Sequence, residues 1–442
     1  MIRFTRSMTI GLAIAAVMGG AAPAAAQPDE GTFTKDVAPI LQQRCEACHR
    51  EGQMAPMSLV TYEEVRPWAR SIRSKVVARE MPPWHIDKTV GIQEFANDIS
   101  LTDEQVATIA AWVDAGAPRG NPADLPAPVE WPNGDTWRLA EQMGGTPDLV
   151  VESPPWTQPA EGQDQWYQPL VETGLNEDRW VRGVEVRPSV TGRQIVHHAL
   201  ARLVQQEEPG DFASPIDFSG RGAFLTEFAV GKNGDVFREN TGKLLKAGAA
   251  ISYDIHYHSV GEDITDRVEV GLWFYPEGFV PKYRVYAQVM GTQQSMRTFD
   301  LPPGEKTVHH AYIPLSLPAR LENYQPHMHV RGTAMSMEAI YPDGRVEMLS
   351  HVGNFDFNWH VNYVYDEDSA PVLPAGTVIK LTAWHDNTAS NPANPDPEQW
   401  VGWGQRSYDD MYHAHVNVTY LTDVDYEQIV EERAARRTDD NQ

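Results

Sequence analysis

Residues 251–260 read ISYDIHYHSV. Ile251, Tyr253, Ile255 and Tyr257 alternate with polar residues, the pattern of a strand with one buried face. Branched and aromatic side chains suit such a pleated, half-buried surface. The opposite face then carries Asp254, His256 and His258, with same-face neighbours about 7 Å apart. Similar runs lie on both sides: WVRGVEVRPS (180–189), AMSMEAIYPDGRVEML (334–349) and HAHVNVTYL (413–421). Turn signals separate them, including Asn233–Gly234 and Pro342–Asp343–Gly344. The stretch from 146 onward therefore reads as antiparallel β-sheet, long enough for two sandwiches.

Upstream of the Pro/Gly-rich segment GNPADLPAPVEWPNGD (120–135) the texture is helical. FTKDVAPILQQR (33–44) sets Phe33, Val37, Ile40 and Leu41 on one helical face. EEVRPWARSIRSKVV (63–77) repeats the pattern with Val65, Trp68, Ile72 and Val76. LTDEQVATIAAWVDAGAP (101–118) opens on a capping box, Thr102 to Gln105, and stops at Gly116 and Pro118. Its apolar stripe is Val106, Ile109 and Val113.

Among these helices stands RCEACHREG (44–52), with the chain's two cysteines, Cys45 and Cys48, and His49 directly after. An exported protein can keep a disulfide. A zinc knuckle needs further ligands nearby, and a thioredoxin-like pair needs a βαβ setting. Cys-x-x-Cys-His is the haem c attachment pattern: both thiols add to the porphyrin vinyl groups and the histidine becomes an axial ligand. Residues 27–120 thus resemble a small c-type cytochrome. Met54 and Met57 lie too close to His49 to pass around the porphyrin. Met81, in EMPPWH, resembles the Met-Pro-Pro loop of many such proteins and is the expected sixth ligand, with His85 the alternative and core packing the plain reading for the methionines. A thioether ligand raises the potential and closes the iron, so the expected role is one-electron transfer.

Residues 1–26 carry Arg3 and Arg6, an apolar run and an Ala-rich end, AAPAAA, which together read as a cleaved secretory signal. The run is too short to span a bilayer, and no later segment reaches about 18 apolar residues. The expected location is periplasmic or secreted, with no membrane span. With 36 basic and 61 acidic residues the chain has a formal net charge of −25, which argues against nucleic acid as a partner.

The fifteen histidines cluster: His197/His198, His256/His258, His309/His310, His327/His329 and His413/His415 are close pairs. Imidazoles on one strand face can converge on one ion, although a single pair is more often a hydrogen-bonded surface feature. Imidazole suits copper, zinc, iron and nickel; beside a one-electron haem, a redox metal such as copper is favoured.

At these residues the chain resembles the copper type II, ascorbate-dependent monooxygenases, the family of the peptidylglycine α-hydroxylating and dopamine β-monooxygenases. IVHHALARL (195–203) is similar to the adjacent-histidine strand of that family's first copper site, and DIHYHSVG (254–261) to the strand with its third histidine. LPPGEKTV (301–308) resembles the start of the second sandwich. PHMHVRG (326–332) is similar to the His-x-His of the second site, and YDDMYHAHVNVTY (408–420) to its methionine strand. The resemblance implies two all-β, antiparallel, jelly-roll-like sandwiches, each holding one copper. His197, His198 and His256 would bind the first. His327, His329 and Met411 would bind the second, where dioxygen attacks a substrate C–H bond. Peptidylglycine enzymes grip a substrate carboxylate with an arginine where this chain has Gln325, and have a tyrosine where it has His415, so a peptide C-terminus is not the expected substrate. The disulfides usual in that family cannot form here. Of the remaining histidines, His258, His309 and His310 read as sheet or supporting residues, while His413 and His415 share a face with Met411 and would line its pocket.

The expected organisation is a signal peptide (1–26), an all-α cytochrome c-like domain (27–120), a linker (121–145), two copper-binding sandwiches (146–290 and 291–425) and a charged tail (426–442). The expected activity is a haem- and copper-dependent monooxygenase, with one covalent haem and two coppers, acting on a small organic molecule with dioxygen and drawing electrons from an external donor through its own cytochrome. A haem–copper electron-transfer or copper-binding protein without hydroxylase activity is the alternative, and a hydrolytic zinc site a third reading.

Overall fold

The computed structural model describes residues 31–439 apart from 54, 132–134, 207–221 and 233, with side chains to 436. The expected signal peptide and Met54 lie outside the described residues. The chain is mostly β-sheet with few helices. Among the described residues, no helix is long and apolar enough to cross a membrane.

Several short helices lie near the start, and the longest, Asp423–Asp439, lies in the stretch expected as a charged tail. Phe33–Val37 runs into Ala38–Arg44, and Tyr62–Val65, Ala69–Val77 and Asp103–Asp114 follow. Phe33, Val37, Leu41, Val65, Ile72, Ile109 and Trp112 meet in one apolar cluster. Full burial of a side chain of this kind is worth about 1.5–3 kcal/mol. Thr102 caps its helix as expected, accepting from the Gln105 N–H, and Thr61 forms a second capping box with Glu64. Two residues depart from the helical reading. Trp68 is 46% exposed, because Ala69, one position on, takes the buried place in the stripe Val65, Ala69, Ile72 and Val76. Trp112, left out of the expected stripe, is fully buried and donates its Nε1–H to the Pro118 carbonyl at 2.9 Å.

Two larger cores lie in the β-region. The first joins a five-stranded sheet, with Ala250–Tyr257 and Val196–Val204 at its middle, to strands including Arg179–Pro188 and Val268–Phe274. Ile251, Tyr253, Ile255 and Tyr257 are all fully buried in it, the alternation that ISYDIHYHSV predicts. The second core lies between a four-stranded sheet (Lys306–Pro314, Val378–Asp386, Gly332–Ile340, Val346–Val352) and strands that include Asn323–Met328 and Tyr412–Tyr420.

One eleven-stranded sheet backs both cores. Its joint is Tyr283–Met290. That strand pairs in parallel with Thr241–Leu245 of the first half and antiparallel with Tyr412–Tyr420 of the second. Val285 packs into the first core and Met290 into the second.

The chain that follows the helix Ala69–Val77 straps the helical part to the second half. Trp84, Ile86 and Phe95 belong to the second β-core. Ile86 bridges Val352 and Phe95 bridges Tyr365, while Trp84 meets Tyr363 edge-on at 4.7 Å between ring centres. Gly91 has φ +71°, and a Cβ there would lie 2.6 Å from the Leu349 carbonyl oxygen, so only glycine lets the strap lie this close.

Candidate metal centres

His256 stands directly across from His198 in the antiparallel ladder. The next pair is Tyr257 with Val196, so His197 is the extra residue of a β-bulge. On a regular strand, adjacent side chains point to opposite faces. The bulge removes that constraint and turns both His197 and His198 toward His256. The three ring centres form a near-equilateral triangle, 5.3, 5.2 and 5.1 Å on a side. One ligand nitrogen from each ring lies within 4.8 Å of the other two. The Nδ1 atoms of His197 and His198 are 3.1 Å apart. His258, by contrast, falls just past the strand, where its backbone N–H donates to the Ile195 carbonyl.

The surroundings favour unprotonated, neutral rings. His256 donates Nε2–H to Asp164 Oδ2 at 2.9 Å, and its Nδ1 is buried with no hydrogen-bond partner. A histidine tied at one nitrogen to a carboxylate, with the other nitrogen bare, is the usual form of an oriented metal ligand. Trp166, opposite His256 in the ladder, stacks on it at 4.4 Å. Burial, then crowding by His360 and His256, pushes His197 down to about 3, and burial holds His198 well below the usual histidine range. Neutral imidazole is the form that binds metal. The donor set and the bare nitrogen fit copper.

The second histidine group lies on Asn323–Met328 and Tyr412–Tyr420. Tyr324 and Met328 point into the core, leaving Gln325 and His327 on the other face. His327 is paired with His413 and stacks on it at 4.5 Å; Gln325 is paired with His415. His329 lies 5.3 Å from His327 between ring centres. His329 donates Nδ1–H to the Asp409 carbonyl at 3.1 Å, which leaves Nε2 as its ligand atom.

Asp410 ties this group together. Its Oδ1 accepts the backbone N–H of His329 at 2.9 Å and of Met411 at 2.8 Å, and its Oδ2 accepts that of Arg331 at 3.0 Å. One buried carboxylate thus fixes His329 and Met411 side by side. Burial alone would raise the Asp410 carboxyl, but His385 and these N–H groups hold it below the usual range. Arg331, fully buried, reaches Asn387 and the Tyr408 carbonyl. His385, without a reading in the sequence, lies 3.6 Å from Asp410 and 3.4 Å from the Met411 carbonyl. His309 packs behind it against Phe299 and Tyr412, and His310 is exposed beside Thr382.

Two further residues come from elsewhere in the chain. His360 places its ring 4.8 Å from His327 and 6.4 Å from His197, between the two groups. Glu227, on the first half, accepts from Gln325 Nε2 at 2.6 Å and contacts His415 Nδ1 at 3.2 Å. Burial would raise its carboxyl, but His415 and Lys232 hold it well below the usual range. Lys232 bonds Asp235, and Asn417 donates to Asp235, so the interface between the halves is a buried polar network.

In the RCEACHREG loop both cysteines are free thiols, and the Cys48 and His49 N–H groups donate to the Cys45 carbonyl. Burial pushes the Cys45 thiol up to about 12. His49 donates Nδ1–H to the Met57 carbonyl at 3.3 Å, which leaves Nε2 for an axial bond. The thiols and this histidine fit a covalent haem. Met81 is half-buried and bonds the Lys75 carbonyl through its N–H, whereas His85 donates its N–H to the Tyr363 hydroxyl.

No protein-family model matches the chain, and no curated protein matches it. Among solved structures, the infectious bursal disease virus Gx strain aligns over 64% of this chain and 76% of that one, at 8% identity and a TM-score of 0.18. The VP2 subviral particle of the same virus aligns over 64% and 76%, at 12% identity and 0.18. An oxalate decarboxylase aligns over 66% and 80%, at 9% identity and 0.12. Scores this low carry no argument about fold or function.

Proposed function

We propose that the chain is an exported haem- and copper-dependent monooxygenase that hydroxylates a small organic substrate with dioxygen. It would comprise a cytochrome c-like part (27–120) and two jelly-roll-like copper-binding sandwiches (146–290 and 291–425). The convergence of His197, His198 and His256 carries the reading: one ligand nitrogen of each lies within 4.8 Å of the others, and the buried Nδ1 of His256 has no hydrogen-bond partner. When bound, a haem supplies one-electron transfer, and two coppers supply the electron storage and dioxygen chemistry that the family resemblance implies.

The chain's own residues have distinct jobs. Asp164 and Trp166 orient His256. Asp410 aligns His329 with Met411, the residue pair that with His327 would form the second centre. The His49 contact to Met57 leaves Nε2 as the atom that would hold a haem iron, and Met81 would be the second residue to hold it. An external donor would reduce the haem.

Metal analysis of the purified chain should find about one iron and two coppers. Met411→Ala should abolish substrate-dependent oxygen uptake and leave the haem spectrum intact; uptake at the wild-type rate would reject the role. One observation favours a second reading, an electron-transfer protein without hydroxylase activity: Met411, His329 and His413 are 7%, 4% and 8% exposed, an enclosed site. Oxygen uptake that no small organic substrate stimulates would select it.

A further inference from the structure

We infer that His360 is a positioning residue for the second copper centre: its Nδ1 takes the Nδ1–H of His327 and so holds His327 Nε2 for the metal. The inference rests on the reading of His327, His329 and Met411 as that centre.

A ligand nitrogen cannot also carry a proton. With its Nε2 on an ion, neutral His327 must carry the proton on Nδ1, and that N–H needs an acceptor. The Nδ1 of His360 lies 3.1 Å from the Nδ1 of His327, within hydrogen-bond distance. His329 is pinned in the same way, by the Asp409 carbonyl at its own Nδ1. Both histidines of the second centre thus have Nδ1 engaged and Nε2 left over.

His360 is built to hold this place. It is 6% exposed, its N–H donates to the Val230 carbonyl at 2.9 Å, and its carbonyl accepts from Gln325 Nε2 at 3.3 Å. Those anchors come from both halves of the β-region. Phe357 packs against His360, His329 and His197, with ring centres 5.8, 5.6 and 5.3 Å away, and blocks rotation of the ring. His360 Nε2 is buried with no hydrogen-bond partner, so Nδ1 is the nitrogen through which the ring acts. A ligand role for His360 fits less well: among the described residues, the one group of three whose ligand atoms all converge within 4.8 Å is His197, His198 and His256.

The test uses the full chain, stripped of copper and titrated with copper against a competing chelator, with paramagnetic resonance of the loaded protein. His360→Ala and His360→Phe should weaken the second copper at least tenfold, change its resonance spectrum and leave the first copper within twofold. His360→Gln should restore affinity to within about threefold, because the amide oxygen can accept the same proton. Wild-type affinity and spectrum in both the Ala and Phe variants would overturn the inference. So would a Gln variant as weak as a folded Phe variant, and that comparison decides if the Ala variant does not fold. A wild-type chain that binds a single copper would overturn the functional reading itself, and this inference with it.

Discussion

Asp410→Asn is the most informative single substitution for the second histidine group. The carboxylate is fully buried and accepts three backbone N–H groups, from His329, Arg331 and Met411. An amide keeps the shape and one acceptor oxygen. Its best orientation retains the His329 and Met411 bonds at Oδ1 and turns an NH₂ toward the Arg331 N–H. One charge-assisted bond, worth about 1.5–3 kcal/mol, is then lost and a buried donor is left unpaired, so the total cost is about 3 kcal/mol. Asp410→Ala orphans all three donors and should cost about 5 kcal/mol or more. Urea unfolding of the metal-free chain, followed by tryptophan fluorescence, measures both. The same variants should bind the second copper about 10–100-fold more weakly, since the residue that aligns two of its ligands is gone. A cost below about 1 kcal/mol for the alanine variant, or unchanged copper affinity, would refute the assignment of Asp410 as the clamp.

Three further outcomes are expected. Asp164→Asn should lower first-centre copper affinity about tenfold and spare the second, as read by chelator competition; equal losses at both sites would contradict the separate roles. Trp84→Ala empties a site that is 6% exposed in the second β-core and should cost about 3–5 kcal/mol, measured as a drop in unfolding midpoint, with a loss under about 1 kcal/mol arguing that the strap is not anchored there. Acid should destabilise the metal-free protein. Burial pushes His360 and His309 down to about 4, below the ordinary ~6.5, so the unfolded chain binds more protons between those values. Their stabilisation is complete above pH ~6.5 and drains away as the pH falls toward 4; urea midpoints that stay level across this range would sink the account.

Much of the β-region was legible because alternation is local. ISYDIHYHSV announces its own buried face, and the capping box at Thr102 names its helix start. The three-histidine cluster was reached through resemblance and not through geometry: adjacent His197 and His198 should point apart, and the bulge that unites them is set by the pairing with His256 some sixty positions away. Trp68 was misassigned because the small Ala69, one position on, fills the buried place after Val65, and Trp112 was passed over because Val113 beside it fits the apolar spacing as well. His360 was invisible. It sits in a loop without periodicity, and its partners are His327, His197, Val230 and Gln325, all remote in the chain. The repeated acid in YDDM was the one written trace of the Asp410 clamp, and a carboxylate beside a ligand-type methionine is a signal that could have been read.

The strand Tyr283–Met290 is zipped at one end into Thr241–Leu245 and along its length into Tyr412–Tyr420. Its consequence is mechanical. Two lobes joined by a loose tether can swing like shutters; two lobes that share a ladder of amide bonds shear only by breaking rungs. The spacing of the histidine clusters is therefore gauged by a shared strand, and any change in it must first unzip rungs of that ladder.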